Sequence, residues 1–174
     1  EFLNVVDTTI ISAMGPKGGG LFGIPERLLR HFYYVNVPKL STMSMTTIIS
    51  SLLKYQFRDF GESILNLVDT TTTAFLDIFE QCSQTLLPIP SKLHYVFSLR
   101  NIVRVIKGMS LITQPEMPND EMFVKLFYHE MMREFYDRFN SDSDRSWFNT
   151  QLNEITNKHF KLDFSNKTVV FNSF

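Results

Sequence analysis

Five glycines cluster around Pro16, from Gly15 to Gly23, and this stretch constrains the fold more than any other part of the 174-residue chain. Glycine loses the most backbone freedom when it is ordered, and proline donates no backbone hydrogen bond. The stretch therefore predicts an irregular loop with a shaped backbone, and regular structure has to lie on either side of it.

Short regular elements are predicted on both sides of the loop. Pro25 suits the first turn of a short helix, which would carry Arg27 and Arg30 near its end. Residues 10–14 and 32–37 are rich in aromatic and β-branched side chains and predict short buried strands. A strand, a glycine-rich turn, a short helix and a second strand are typical of the late part of a nucleotide-binding α/β core.

The composition indicates a folded chain whose net charge is too small to attract a strongly charged partner. It is 44% hydrophobic, and 17 basic and 18 acidic residues give a net charge of -1, so we expect neither nucleic acid nor a membrane as a partner. No apolar run is long enough to span a bilayer, and no signal peptide is recognisable. Cys82 is the only cysteine, which excludes an intrachain disulfide and favours an intracellular setting.

Five amphipathic helices are predicted after Pro38 from the spacing of apolar residues and from capping residues. Their predicted spans are Ser41 or Thr42 to about Gly61, Glu62 to about Leu87, Leu99 to Leu111, Asp120 to about Phe139, and Asp144 to about His159. Ser98 is the expected cap of the third helix. Four threonines at 70–73 weaken the second helix, so either packing tolerates them or they mark a bend. A last short strand is expected at 168–171.

The glycine-rich loop does not meet the requirements of a phosphate-binding P-loop. That motif reads GxxxxGK[ST], with lysine and a hydroxyl directly after the last glycine, whereas Leu21 and Phe22 follow Gly20 here. No apolar strand ending in paired acids is present either. His129–Glu130 lacks the second histidine of a zinc motif, and Cys82 has no evident base beside it.

Several phrases in the chain resemble the dynein heavy chain, a microtubule motor, in the third of its six AAA+ modules. They are AMGPKGGG at 13–20, RLLRHF at 27–32, LLPIPSKLHYVFSLRNIVRVIKG at 86–108, LFYHEMMREFYDRF at 126–139 and DRSWF at 144–148. Together they cover most of the chain in a consistent order. The glycine-rich phrase is closer to axonemal heavy chains than to the cytoplasmic form.

This resemblance implies a mainly α (α+β) fold, a truncated AAA+ module. Residues 1–40 would be the end of the large α/β domain, with a short β remnant. Residues 41–160 would be the five-helix small domain, or lid, and 161–174 a connector toward the next module. In this reading the phosphate-binding and Walker B elements lie upstream of Glu1.

The resemblance also implies two arginine sites. Arg30, in RLLRHF, matches the arginine finger that one AAA+ module offers to its neighbour's nucleotide, with Arg27 as the second choice. Arg100, in SLRN, matches the second sensor, which reaches from the lid to the phosphate in its own module's cleft. The alternative for each arginine is an ordinary surface charge.

The first sensor position of the family falls on Met14 or Gly15, and neither residue forms a hydrogen bond through its side chain. A degenerate first sensor at Gly15 predicts slow or absent ATP hydrolysis in this module.

At the level of the whole protein, the resemblance implies an ATP-driven, minus-end-directed motor. ATP or ADP and Mg would bind the intact module, whereas the segment alone has no cofactor and is expected to be inactive. The implied partners are neighbouring AAA+ modules, the microtubule, and the dynein intermediate and light chains. The implied location is the cytoplasm and cytoskeleton, in the axoneme of a cilium or flagellum. The alternative is a free-standing helical domain for protein–protein interaction.

Overall fold

The computed structural model describes residues 6–15, 23–117, 119–162 and 164. The chain divides into two compact units, residues 1–39 and residues 40–174. The described residues form six α-helices and two short 3-10 helices, and none of them lies in a strand. The predicted helical fold class is therefore confirmed. Most of the glycine-rich loop and the predicted strand at 168–171 lie outside the described residues.

One short helix, α1, spans Glu26–Leu29 in the first unit. Pro25 precedes it with an extended backbone (φ -59°, ψ 137°), and the Pro25 carbonyl accepts hydrogen bonds from Leu28 and Leu29 at 2.9 and 3.2 Å. The missing N–H of proline costs no hydrogen bond at this position, because the first amides of a helix have no partner within it. The predicted short helix is confirmed.

The two strands predicted beside α1 are not formed. Residues 10–14 and 33–37 have irregular backbone, and the exposed fractions of Ile11, Tyr33 and Val37 are 93%, 95% and 85%. A strand is held by hydrogen bonds to a neighbouring strand, and no such neighbour exists among the residues that the structure describes. These segments have the composition of strands, but among the described residues no neighbouring strand pairs with them.

The second unit contains the five predicted helices, which confirms their number and order. They are α2 (Thr42–Gln56), α3 (Glu62–Thr85), α4 (Leu99–Met109), α5 (Asp120–Glu134) and α6 (Asp142–Phe160). The 3-10 helices span Gln114–Glu116 and Tyr136–Arg138. Helix α3 packs against α2, α5 and α6, while α4 packs against α2 and α5.

Helix α5 is shorter than predicted, because it ends at Glu134 and the chain continues as a 3-10 turn toward Phe139. The apolar residues Phe135 and Phe139 nevertheless remain buried, each with 1% of its surface exposed. Burial of these two rings is thus achieved by the tighter turn, which the apolar spacing alone does not distinguish from an α-helix.

The threonine run at 70–73 is accommodated without a break in α3. Thr71 and Thr72 are 0% and 1% exposed, and each hydroxyl donates to the carbonyl four residues earlier, on Leu67 and Val68, at 2.8 Å. The hydroxyls are therefore satisfied inside the helix. The run is therefore tolerated within a continuous helix, with the side chains of Thr71 and Thr72 packed in the core.

Phenylalanine side chains fill the core of the second unit. The fully buried ones are Phe57, Phe75, Phe123, Phe127, Phe135, Phe139 and Phe148. Phe75 of α3 meets Phe127 of α5 edge to face, with ring centroids 5.0 Å apart, and Phe148 of α6 stacks on Phe135 at 5.9 Å. Both arrangements are favourable for aromatic pairs, so the predicted burial of aromatic faces is confirmed.

At Gly108, helix α4 leaves no room for a side chain against Glu130 of α5. A Cβ atom added there would lie 1.8 Å from Oε2 and 2.4 Å from Cδ of Glu130. Glu130 is 3% exposed, and Arg133 donates to its Oε2 from Nε at 2.8 Å and from Nη2 at 2.6 Å. The carboxylate thus occupies the space that any larger residue at 108 would need.

We expect Leu126→Ala to lower the free energy of unfolding by about 2 to 5 kcal/mol, because it leaves a cavity in the core. Leu126 is fully buried, whereas Leu93 is 72% exposed. The matched variant Leu93→Ala should change stability by less than about 0.5 kcal/mol. Urea unfolding followed by circular dichroism measures both, and equal losses in the two variants would contradict the assigned core.

Candidate functional site

The first turn of α4 carries the residue that the sequence singled out, Arg100. Ser98 precedes the helix with an extended backbone, and its N–H donates to Oδ1 of Asn101 at 2.9 Å. This bond satisfies an amide at the helix start that has no partner within the helix. Ser98 therefore occupies the predicted capping position.

Arg100 is exposed and follows the first residue of α4. Within the described part of the chain, its guanidinium forms no hydrogen bond or ion pair. A cation is electrostatically disfavoured at a helix N-terminus, where the amide groups already carry partial positive charge. The position is therefore suited to a guanidinium that meets an anion from elsewhere.

Asn101, the next residue, faces inward and is 5% exposed. Its Nδ2 donates to Oε1 of Glu134 at 2.8 Å. Glu134 ends α5 and is 7% exposed, and the same oxygen also accepts from Nη1 of Arg104 at 3.4 Å. A buried carboxylate needs such partners, because leaving it unpaired away from water is costly. The end of α5 is thus bonded directly to the start of α4.

The connector between α3 and α4 is joined to the start of α6 through Asp144. Oδ2 of Asp144 lies 2.5 Å from Nζ of Lys92 and accepts a hydrogen bond from the Tyr95 hydroxyl at 2.8 Å. The bond from Lys92 lowers the pKa of the Asp144 carboxyl, and the bond from Tyr95 acts in the same direction, while burial opposes both. Burial, followed by the bond to Asp144, raises the pKa of Tyr95.

Arg138 makes a second attachment of the same connector. Its Nη2 donates to the carbonyl of His94 at 2.8 Å and lies 3.4 Å from that of Val96, and its guanidinium stands 5.6 Å from the ring centre of Phe97. Nε2 of His94 in turn lies 3.0 Å from the Arg138 carbonyl. The connector that leads into Arg100 is therefore held at two points.

Arg27 and Arg30 lie on and directly after α1, and both are exposed. Nε of Arg30 donates to Nε2 of the neighbouring His31 at 3.1 Å. No carboxylate among the described residues pairs with either arginine. Met14 is 58% exposed, and Gly15 is exposed in irregular backbone. These residues belong to the first unit and Arg100 to the second.

The residues that the structure describes do not support a metal site, a reactive cysteine or a membrane-spanning helix. They contain no group of three or more His, Cys, Asp or Glu side chains that could hold a metal ion. Burial raises the pKa of Cys82 to about 12, so its thiol is unreactive near neutral pH. None of the described helices is both long enough and apolar enough to cross a membrane.

Sequence reasoning identified Ser98 but missed Asn101 and Glu134, which also fix the start of α4. The spacing Ser98-x-x-Asn101 is a signal that was present, since it places a side-chain acceptor opposite the amide of the cap residue. Glu134 gave no such signal, because its partner Asn101 lies 33 positions away. Asp144 and Lys92 are likewise far apart, with a sequence separation of 52 positions.

Comparison with known families defines the class of this protein. Residues 48–145 match the family described as "Dynein heavy chain, ATPase lid domain", and residues 1–40 match "P-loop containing dynein motor region". The class is therefore that of an ATPase lid that follows part of a motor domain. The chain belongs to the dynein heavy chain family, which confirms the resemblance and argues against a free-standing interaction domain.

Curated proteins similar to this chain include axonemal dynein heavy chains. Dynein axonemal heavy chain 12 of Rattus norvegicus is 36% identical over 166 residues, which covers 94% of this chain and 5% of the relative. Its Homo sapiens counterpart is 35% identical over 164 residues, or 93% of this chain and 5% of the relative. Dynein axonemal heavy chain 6 of Homo sapiens is 33% identical over 175 residues, or 98% and 4%. The chain thus spans about a twentieth of the length of these relatives.

We expect Asp144→Asn to destabilise the fold at neutral pH and to do so less as the pH falls. The pKa of Asp144 is lowered in the folded state from its usual 3.8. Its carboxylate therefore contributes stability above pH 3.8, and this contribution is lost as the pH falls through the folded pKa. Urea unfolding of the parent chain and the variant at neutral pH and at about pH 3 measures the difference between their free energies of unfolding, which should be smaller at the lower pH.

Asp142→Asn is the matched control, because Asp142 lies in the same first turn of α6 but its side chain is 97% exposed. The stability difference between this variant and the parent chain should depend only weakly on pH. An equal dependence in both variants would show that the bonds from Lys92 and Tyr95 are not its cause.

Proposed function

We propose that this chain is the end of the large domain and the nucleotide-sensing lid of the third AAA+ module of an axonemal dynein heavy chain. The observation that carries the proposal is the exposed guanidinium of Arg100, held on a capped helix start within the residues that match the dynein lid. Its position in SLRN supports the second-sensor role that the family resemblance implies.

Arg100 has the chemistry that a phosphate sensor requires. A guanidinium remains charged at any physiological pH and offers paired N–H donors that match phosphate oxygens. Its backbone is fixed, since Asn101 bonds both the cap residue Ser98 and the buried Glu134. The side chain extends from that fixed point, so a phosphate that it contacts would be linked to the orientation of the whole lid.

The lid would report nucleotide state by moving as a domain. A ligand shifts a conformational equilibrium only by binding one state more tightly than another. Arg100 supplies that difference if it reaches the terminal phosphate when the lid is closed and not when it is open. ATP binding then favours the closed lid, and loss of the terminal phosphate releases it.

Arg30 is proposed as the arginine finger that acts on the neighbouring module. An arginine that approaches a transferring phosphoryl group stabilises the charge that develops in the transition state. Arg30 is exposed at the end of α1, and among the described residues its guanidinium has only His31 as a hydrogen-bond partner, so the group is available to a surface other than its own. Arg27, in the same short helix, is the second candidate.

At the level of the whole protein, we propose an ATP-driven motor that moves toward the minus end of microtubules in the axoneme. The names of the relatives support an axonemal heavy chain. ATP and Mg²⁺ would be held mainly by the rest of the module, because the motif that binds the β and γ phosphates is absent from this sequence. The proposed partners are neighbouring AAA+ modules, the microtubule, and dynein intermediate and light chains.

The degenerate first sensor at Met14 and Gly15 supports a regulatory module. Without a polar side chain at that position, no side-chain group there orients the terminal phosphate or the attacking water. We therefore propose that this module holds ATP for long periods and controls the other modules more than it contributes turnover of its own.

We expect Arg100→Ala, in a full-length heavy chain that carries this segment, to weaken ATP binding by this module about tenfold or more, because a charge-assisted hydrogen bond to phosphate is lost. Fluorescent ATP titration measures the affinity with the other nucleotide sites inactivated. Arg104→Ala is the matched control, since Arg104 is an exposed arginine of the same helix that pairs with Glu134. An unchanged affinity in the Arg100 variant would overturn the sensor assignment.

We expect Arg30→Ala to lower ATP hydrolysis by the neighbouring module about a thousandfold, the size of an arginine-finger effect, while ATP binding to its own module is unchanged. Single-turnover hydrolysis in the full-length chain separates the two modules if each is inactivated in turn. Arg27→Ala is the control, and a loss confined to that variant would transfer the role to Arg27.

A further inference from the structure

Two linked hydrogen bonds, one buried and one partly buried, run from the end of α5 to the start of α4. The amide oxygen of Asn101 accepts from the Ser98 N–H at 2.9 Å, and the amide nitrogen of Asn101 donates to Oε1 of Glu134 at 2.8 Å. Asn101 and Glu134 are 5% and 7% exposed. Water therefore competes little for the bond between Asn101 and Glu134, and each of these two groups depends on the partner that it has.

The two ends of the Asn101 amide are matched to their surroundings. Its oxygen meets a donor and its nitrogen meets an anion, so the amide has one favourable orientation. A carboxylate at this position would keep the cap but would face the carboxylate of Glu134. Asparagine is thus selected by both of its neighbours, and the match requires the start of α4 and the end of α5 to stay in register.

This register decides where Arg100 points. Successive residues of an α-helix are rotated by about 100°, so Arg100 and Ile102 lie on opposite sides of the inward-facing Asn101. Ile102 is fully buried and Arg100 is exposed, so the bond of Asn101 to Glu134 sets the helix orientation in which Arg100 points to the outside. A small roll of α4 about its axis would break the bond between Asn101 and Glu134 and displace the guanidinium of Arg100 together.

We propose that Asn101 and Glu134 are positioning residues for Arg100, which hold the first turn of α4 in the register where that arginine meets a nucleotide phosphate. This inference rests on the proposed function of Arg100. Glu134 acts through Asn101 and need not touch nucleotide itself. Arg104, which reaches the same carboxylate from the exposed side at 3.4 Å, is not required for the register.

The test is a double-mutant cycle in a full-length heavy chain that carries this segment, with the other nucleotide sites inactivated and a fluorescent ATP analogue as the probe. Asn101→Ala should weaken binding about tenfold, similar to Arg100→Ala. In the Arg100→Ala background, Asn101→Ala should add less than about twofold, because its effect passes through the missing arginine.

Exchanging the donor and the acceptor tests the bond between Asn101 and Glu134, while the side-chain oxygen at position 101 that caps α4 is retained. Asn101→Asp should weaken binding, because two carboxylates then face each other. Combining it with Glu134→Gln should restore affinity to within about twofold of the parent chain, since the glutamine amide can donate to the new aspartate. Glu134→Gln alone should also bind to within about twofold, because its amide oxygen still accepts from Asn101. Arg104→Ala should have no effect.

The outcomes separate the two levels of the proposal. If Arg100→Ala leaves ATP affinity unchanged, the proposed function fails and the positioning role fails with it. If Arg100→Ala weakens binding but the effect of Asn101→Ala adds fully to it, the positioning role alone is overturned. Failure of the exchange to restore binding in a chain with a parental circular dichroism spectrum also overturns it.

Discussion

Burial of aromatic rings between α3, α5 and α6 is the constraint on which the second unit depends. Phe75, Phe127 and Phe148 come from three different helices and are fully buried. Each ring removes a large apolar area from water, and the edge-to-face and stacked contacts fix how the helices meet. The polar features discussed above, including the capped start of α4, have defined positions because this core holds the helices that carry them.

The helices of the second unit were predictable from the sequence because their signals are local. Apolar residues recur at helical spacing, and Ser41, Gly61 and Ser98 lie directly before helices. The end of α5 was predicted too far along the chain, because Phe135 and Phe139 keep the apolar spacing although the backbone has tightened. The position of Arg100 at a helix start was equally local, and so the sequence placed it correctly in α4.

Features that depend on distant parts of the chain were not predictable in the same way. The segments 10–14 and 32–37 have the composition of strands, but a strand forms only with a partner, and no partner exists among the described residues. Likewise, Glu134 bonds to Asn101 and Arg104 across the interface with α4, and these partners lie 33 and 30 positions away in the sequence. Such pairings arise from packing, which no short window of sequence contains.

The absence of a side chain at Gly108 has a mechanical consequence. The Glu130 carboxylate lies against the Gly108 backbone, held there by Arg133, and one turn further along α5 Glu134 is bonded to Asn101. Two attachments along one interface resist both rolling and sliding, since close-packed surfaces deform little. Helices α4 and α5 are therefore coupled at the last turn of α5, and a displacement of the turn that carries Arg100 would be transmitted to the residues from Glu130 to Glu134.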